Sequence, residues 1–293
     1  MLLDQVINGL VSGGLYALIA LGYTIVFGVL DKLNFAHGEV FMFGGYVGLV
    51  AIAFGADLVT AAIVVAIVGA LFGLLVELVS FRRFKSRDAQ VTAALSSLLV
   101  GLILDELVQK YWGSEPRSLG ISPAVYTAGT IILGIQIAYV KLAIFGTALA
   151  LMIGLILAID HTKFGREMRA VSEAPDAARL MGIDVTRVTQ VTFAIASALA
   201  CVSGLMVACK TGAVVSDIGL TYGLKALAVM AIGGMGDVRG VVIAGLLVGV
   251  AEALTYEAGL GRLAEITVWV LMIAVLLLRP SGLLGRSEAA VRA

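Results

Sequence analysis

The sequence predicts an all-α polytopic membrane protein of about eight to nine transmembrane helices, among them two short segments that either cross or re-enter. Three observations carry this reading. Of the 293 residues, 60% are hydrophobic and 14% charged, with a mean hydropathy of +1.06, far above the roughly 45–50% apolar content of a soluble domain. Apolar stretches follow one another along the chain, several of them reaching the roughly 20 residues that a straight crossing needs. Basic residues gather in the polar gaps on one side, as cytoplasmic loops do. The formal net charge is zero, which leaves no footing for nucleic-acid binding.

The first span is expected at residues 6–28. No basic leader and no small-residue cleavage site precede it, so it should be retained. Residues 41–54 are shorter, and cross only if the turn at 34–40 dips into the protein. A full span at 58–80 ends in the basic loop of Arg82, Arg83, Lys85 and Arg87. The next, at 91–108, runs out to Lys110, Tyr111 and Trp112, where amphipathic rings suit an interface. Residues 113–129, with Pro116 and Pro123, read as an external loop, and the apolar stretch 130–159 returns the chain.

Residues 160–190 form the longest polar island. It carries Lys163, Arg166, Arg169, Arg179 and Arg187, so it should face the cytoplasm. Pro175 suits a first helical turn, Asp176 a helix N-terminus and Gly182 a left-handed closure, which predicts a short helix over 176–181 lying free of the bilayer as a docking element. Beyond the island, 191–208 runs out and 210–222 is a polar external segment. Residues 223–235 are apolar but only 13 long, a half-helix, and the run 233–240 interrupts the pattern before 241–256 resumes it. The last span, 264–278, ends at Arg279 and Pro280, with Arg286 and Arg292 in the tail. Counting both short segments gives nine passes, an outside N-terminus and an inside C-terminus, and 14 of the 20 basic residues then fall inside.

Glycine pairs four apart, Gly9/Gly13, Gly69/Gly73 and Gly245/Gly249, favour close helix packing over any pore role. The strings Gly14–Leu18 and Gly223–Leu227 echo each other, an internal duplication being one reading of them. Cys201 and Cys209 read as small packing residues. Asn34, His37 and Glu39 form the most unusual polar cluster: they either line a substrate path or close a buried turn on its own backbone. Glu77, Asp105, Glu106, Lys225 and Glu252 are ionisable groups within or at the ends of apolar spans. The two histidines are not spaced as metal ligands, no nucleophile with a base and orienting acid can be assembled, and residues 204–211 miss a phosphate loop because Cys209 stands where its second glycine belongs. No catalytic or metal site is expected, and uphill transport would need energy from a partner or an ion gradient.

From about residue 6 to 286, in order, the chain resembles the branched-chain amino acid ABC transporter permeases. The likeness lies in Gly14–Thr24 followed by Asn34–Glu39, in Gly165-Arg166, Arg169-Ala170, Ala177-Ala178 and Gly182-Ile183, in Lys225-Ala226 with Gly233, Gly234, Gly236 and Gly240, and in the stretch from Arg279 to Gly285. The resemblance implies one transmembrane permease domain over 1–293, in the bacterial inner membrane, whose 160–190 loop couples to ATPases. It implies as partners a second permease, identical or different, two cytoplasmic ABC ATPases that hold ATP and Mg, a periplasmic binding protein and the lipid bilayer; no cofactor is expected in this chain. Arg166, Arg169, Glu173, Ala174, Ala177, Ala178 and Gly182 would form the coupling element, although Pro175 and Asp176 interrupt the family's compact Glu-Ala-Ala pattern. Asn34, His37, Glu39, Lys225, Gly233, Gly234 and Gly236 are the pathway candidates. Permeases for urea and short amides are closely similar alternatives. An ion-driven secondary transporter is an alternative of another class, and a membrane enzyme is disfavoured for want of a catalytic constellation.

Overall fold

The apolar runs fold as helices because no water competes for backbone groups inside a bilayer, where each N–H and C=O must be satisfied within its own segment. The computed structural model describes residues 2–84, 89–122, 124–132 and 135–285; Lys85, Arg87, Pro123, Arg286 and Arg292 of the sequence reading lie outside them. In chain order the elements are α1 (Leu2–Leu30), α2 (His37–Ala53), α3 (Leu58–Val76, continued by a π-helical turn, Glu77–Phe81), α4 (Gln90–Trp112), β1 (Arg117–Ser118), α5 (Ala124–Thr127), β2 (Gly129–Ile132), β3 (Ile135–Ala138), α6 (Tyr139–His161), α7 (Lys163–Glu173), α8 (Pro175–Leu180), α9 (Val185–Thr211), β4 (Ala213–Val214), α10 (Ile218–Gly233), α11 (Val238–Glu257) and α12 (Ala264–Leu278). Among the described residues, seven helices are long and apolar enough to cross a membrane, and α2 and α10 are two shorter apolar ones. At 17 and 16 residues they are only about 25 Å long, short of the roughly 30 Å hydrocarbon layer.

Polar residues at the helix starts satisfy the free amides. Asp57 accepts from the amides of Val59 and Thr60, Asp184 from Arg187 at 3.1 Å, and Asp237 from Gly240 at 2.8 Å. The Asp57 carboxyl is held below its ordinary range, first by the Thr60 hydroxyl and then by the Thr60 amide. The connections meet at two opposite ends. At one end Gln90 donates to the Asp31 carbonyl at 3.0 Å, and Arg239 pairs with Asp160 at 2.6 Å. At the other, β1 pairs antiparallel with β4, Arg117 opposite Val214. These contacts agree with the alternation expected from nine passes.

A three-helix order appears twice: long, short, long in α1–α2–α3 and again in α9–α10–α11. α1 packs along α11 as α9 packs along α3, and α2 meets α10. The sequence echo had the register wrong, since Gly14 to Leu18 lie within α1 but Gly223 to Leu227 lie in α10; the structural counterpart of α1 is α9. Glycine makes both seams. A Cβ on Gly13 would lie 2.6 Å from the Gly245 carbonyl oxygen, and one on Gly249 would lie 2.4 Å from the Gly13 Cα; in the other seam a Cβ on Gly73 would lie 2.4 Å from the Phe193 carbonyl oxygen. Between helices already in lipid, such backbone contact gains van der Waals packing that larger side chains would prevent. Leu15, Leu18, Ile19, Phe41 and Phe193 are fully buried between the seams, and Cys201 packs there as a free thiol donating to the Val40 carbonyl at 3.1 Å.

Three expectations need correction. The first part of the apolar stretch 130–159 is a β-hairpin, β2 paired with β3, and α6 begins only at Tyr139; alternation through Ile135, Gln136 and Ile137 is a strand period, which an apolar run conceals. The polar island contains an unforeseen eleven-residue helix, α7. The segment 210–222 is largely helical, because α9 continues to Thr211 and α10 starts at Ile218.

Candidate functional site

Two places collect the polar residues. The first is the island between α6 and α9. The Thr162 hydroxyl caps α7 by accepting from the Gly165 amide at 3.2 Å. Gly165 packs on the end of α6 so closely that a Cβ would sit 1.9 Å from the Ile159 carbonyl oxygen, and Arg169 donates to that same carbonyl at 2.6 Å. Arg166 is exposed, whereas Met168 and Val171 are buried, which gives α7 one apolar face. At Ala174 the backbone swings to φ −152°, ψ 85°, and Pro175 opens α8. The predicted helix therefore exists over Pro175–Leu180, one residue earlier than expected. Its far end closes as the residues require: Gly182 takes φ +83°, and the Ile183 amide donates back to the Ala178 carbonyl at 3.0 Å.

Of the coupling candidates, Glu173, Ala174 and Ala177 are exposed, and Ala178 is the one residue of α8 that is buried. Leu180 and Met181, which the sequence reading did not single out, stand 90% and 83% exposed at the tip. Their sequence signal was an apolar pair beside the closing glycine. Behind α8 lies a groove of about 580 Å³ reaching Lys32, Glu77, Arg82 and Thr189. Glu77 is buried and paired with Arg82 at 3.0 Å. Lys32 donates to the Phe84 carbonyl, and burial pulls its ammonium below the ordinary lysine value against the opposing pull of Asp31.

The second place is a polar column along α1, half-buried at Asn8 and Ser12 and buried at Tyr16. Asn8, Ser12 and Tyr16, four apart, lie on one face of the helix. Lys141 of α6 donates to the Asn8 side-chain oxygen at 2.7 Å, and Lys210 of α9 donates to the Ser12 hydroxyl at 2.6 Å. The Tyr16 hydroxyl donates to one Glu252 oxygen at 2.6 Å while Lys225 of α10 donates to the other at 2.7 Å. The Lys225 ammonium also lies 5.6 Å from the Tyr16 ring centre, and Tyr222 stacks on Phe41 at 5.3 Å beside it. Five helices thus converge, joining residues up to 236 positions apart.

The sequence-chosen pathway residues are not brought together. Lys225 is in the column. Asn34 and His37 lie in and beside the buried turn before α2: the Asn34 oxygen accepts from the Ala36 amide at 3.2 Å, and His37 Nε2 meets the Ile19 carbonyl at 3.2 Å. Glu39 lies against Gly219 where the starts of α2 and α10 meet. Gly233, Gly234 and Gly236 form the tight turn into α11, with φ +110° at Gly234 and +87° at Gly236, and the backbone of Gly285 closes over Gly234. Tyr16, Glu252 and Lys210 were not chosen as site residues, since only tertiary structure pairs them.

With this geometry in view, comparison with known proteins is informative. Residues 5–276 match the family described as branched-chain amino acid transport system / permease component. The chain belongs to this family. The permease is 34% identical to the high-affinity branched-chain amino acid transport system permease protein BraD of Pseudomonas aeruginosa over 98% of its own length and 96% of that protein. It is 34% identical to LivH of Escherichia coli K12, a permease protein of the same description, over the same shares of both chains. The ribose import permease protein RbsC of Haemophilus influenzae is 23% identical over 84% of the permease and 75% of RbsC.

Proposed function

We propose that this permease is the transmembrane subunit of an ATP-driven importer for branched-chain amino acids in a bacterial inner membrane. The observation that carries the reading is the near full-length similarity to BraD and LivH, 34% identical over 98% of the chain. The end bearing α8 and the greater share of basic residues faces the cytoplasm. The partners are a second homologous permease, two ATPases that hold ATP and Mg, and a periplasmic binding protein that delivers substrate. Leu180 and Met181 enter the ATPase. Displacement of α8 is passed to α6 through α7, by the Arg169 hold on Ile159, and to α9 through the Gly182–Asp184 connection. The two seamed helix triplets then switch a central path between outward-open and inward-open states.

Uptake in proteoliposomes containing the partner subunits tests the reading. ATP-dependent uptake of labelled leucine, isoleucine and valine is expected. Uptake of urea or acetamide in their place would move the permease to the amide importers, and uptake driven by an ion gradient without ATPases would overturn the ATP-driven mechanism.

A further inference from the structure

We infer that the column formed by Lys141, Lys210 and Lys225 along the Asn8–Ser12–Tyr16 face of α1 is a carboxylate-conducting path, a ladder that receives the substrate's anionic group at three successive levels. This deepens the proposed function and rests on it, because a zwitterionic amino acid is the cargo that brings a carboxylate.

The first support is charge balance. Three ammonium groups share the column with one buried carboxylate, Glu252, which is committed to Lys225 and Tyr16. Among the described residues Lys141 donates only to the neutral Asn8 oxygen and Lys210 only to the neutral Ser12 hydroxyl, and the single Glu252 charge that reaches Lys210 is opposed there by Lys141 and Lys225. Asp4, one turn outward on the same face, makes no ion pair among the described residues, and each ammonium has three donors to place. Lys225 is buried, while Lys141 and Lys210 are half-buried at the end of the bundle that carries β1 and β4; cationic groups so placed face a partner or a water-filled path.

The second support is position. Lys141 is the third residue of α6, where the helix dipole disfavours positive charge, so it does not serve its own helix. Lys210 is in the last turn of α9, where a lysine could reach the terminal carbonyls, yet its ammonium turns across to α1. The three levels cover about 12 Å of α1, beginning near its first turns at the end that also carries β1 and β4. The innermost level suits both ends of a zwitterion: the Lys225 ammonium for the carboxylate, and the Glu252 carboxylate with the Tyr16 ring for the α-ammonium. Several weak sites in series let a charged solute enter without trapping it.

The test uses the complete transporter in proteoliposomes, with K141Q, K210Q, the double variant, and K141R and K210R as charge-retaining controls. Each glutamine variant is expected to lower the maximal rate of leucine uptake about tenfold and the double variant further, while half-saturation by loaded binding protein and binding-protein-stimulated ATP hydrolysis stay at wild-type values and the arginine variants keep most of the uptake. Unchanged uptake in the double variant overturns the ladder, as does an arginine variant as defective as its glutamine counterpart, or loss of uptake with parallel loss of ATP hydrolysis. The defect is expected to persist in vesicles of phosphatidylcholine alone; a defect seen only with anionic lipid assigns the lysines to a headgroup and overturns the path. Failure of the wild type itself to take up leucine strikes at the substrate reading instead, so the two failures are distinguishable.

Discussion

Where α1 meets α11, backbone touches backbone through Gly13, Gly245 and Gly249, whereas α8 is fastened to the rest of the molecule through the buried side chain of Ala178 and the turns at either end of a six-residue helix. The first region has no room for a single added carbon. The second leaves its two largest apolar side chains in the open. A seam of the first kind moves only as a body, because packed interfaces are not continuously deformable; a segment of the second kind can be pushed. In the proposed mechanism the first is the stiff wall that carries displacement and the second the handle on which a partner acts.

This contrast can be broken at either end. The largest effect is expected from Gly249→Leu, whose side chain would overlap the α1 backbone: overpacking costs about 3 kcal/mol or more when backbone must shift, and size-exclusion analysis in detergent should show little folded permease. Glu252→Gln comes next, since removing one partner of a buried ion pair costs about 3–5 kcal/mol; a large fall in thermal midpoint is expected, mostly regained in the Lys225→Met/Glu252→Met double variant. Gly182→Asp acts at the handle. There a Cβ meets no neighbour but φ is +83°, so the permease should insert with a near-normal midpoint while leucine uptake is lost, and normal substrate-stimulated ATPase activity in that variant would refute α8 as the coupling element. Leu180→Ser with Met181→Ser should weaken copurification with the ATPases several-fold and leave stability alone. Arg239→Ala should have the smallest effect, because the Asp160 partner is an exposed pair at the surface; a thermal melt should scarcely differ from wild type.

Much of the wall was legible in the sequence, and so was part of the handle. Glycines four apart name a packing face whatever the partner, and Pro175 with Gly182 marks a short helix by backbone geometry alone. What the sequence concealed was of two kinds. α7 is polar apart from a narrow apolar stripe, so hydropathy gave no signal for it, and the β2–β3 hairpin was hidden by apolar residues that suit helix and strand alike. The column was hidden for another reason: Tyr16, Lys225 and Glu252 are individually ordinary, and only packing brings residues 236 positions apart onto one carboxylate. The choice of Asn34, His37 and Glu39 followed local polarity, which marks a buried turn as readily as a path.

The burial of α1 also fixes an order of assembly. Its partners in the bundle are mainly α9, α10 and α11, all beyond residue 184 of the chain. During synthesis at about 5–20 residues per second, α1 leaves the ribosome about 10–45 s before α11 is complete. For that interval the Asn8 side chain and the Tyr16 hydroxyl lack the partners they have in the finished bundle, whereas the Ser12 hydroxyl already donates to the Asn8 carbonyl within α1. The first helix made is therefore among the last to be seated, and a ribosome halted after α8 leaves a nascent chain whose central strut has no socket.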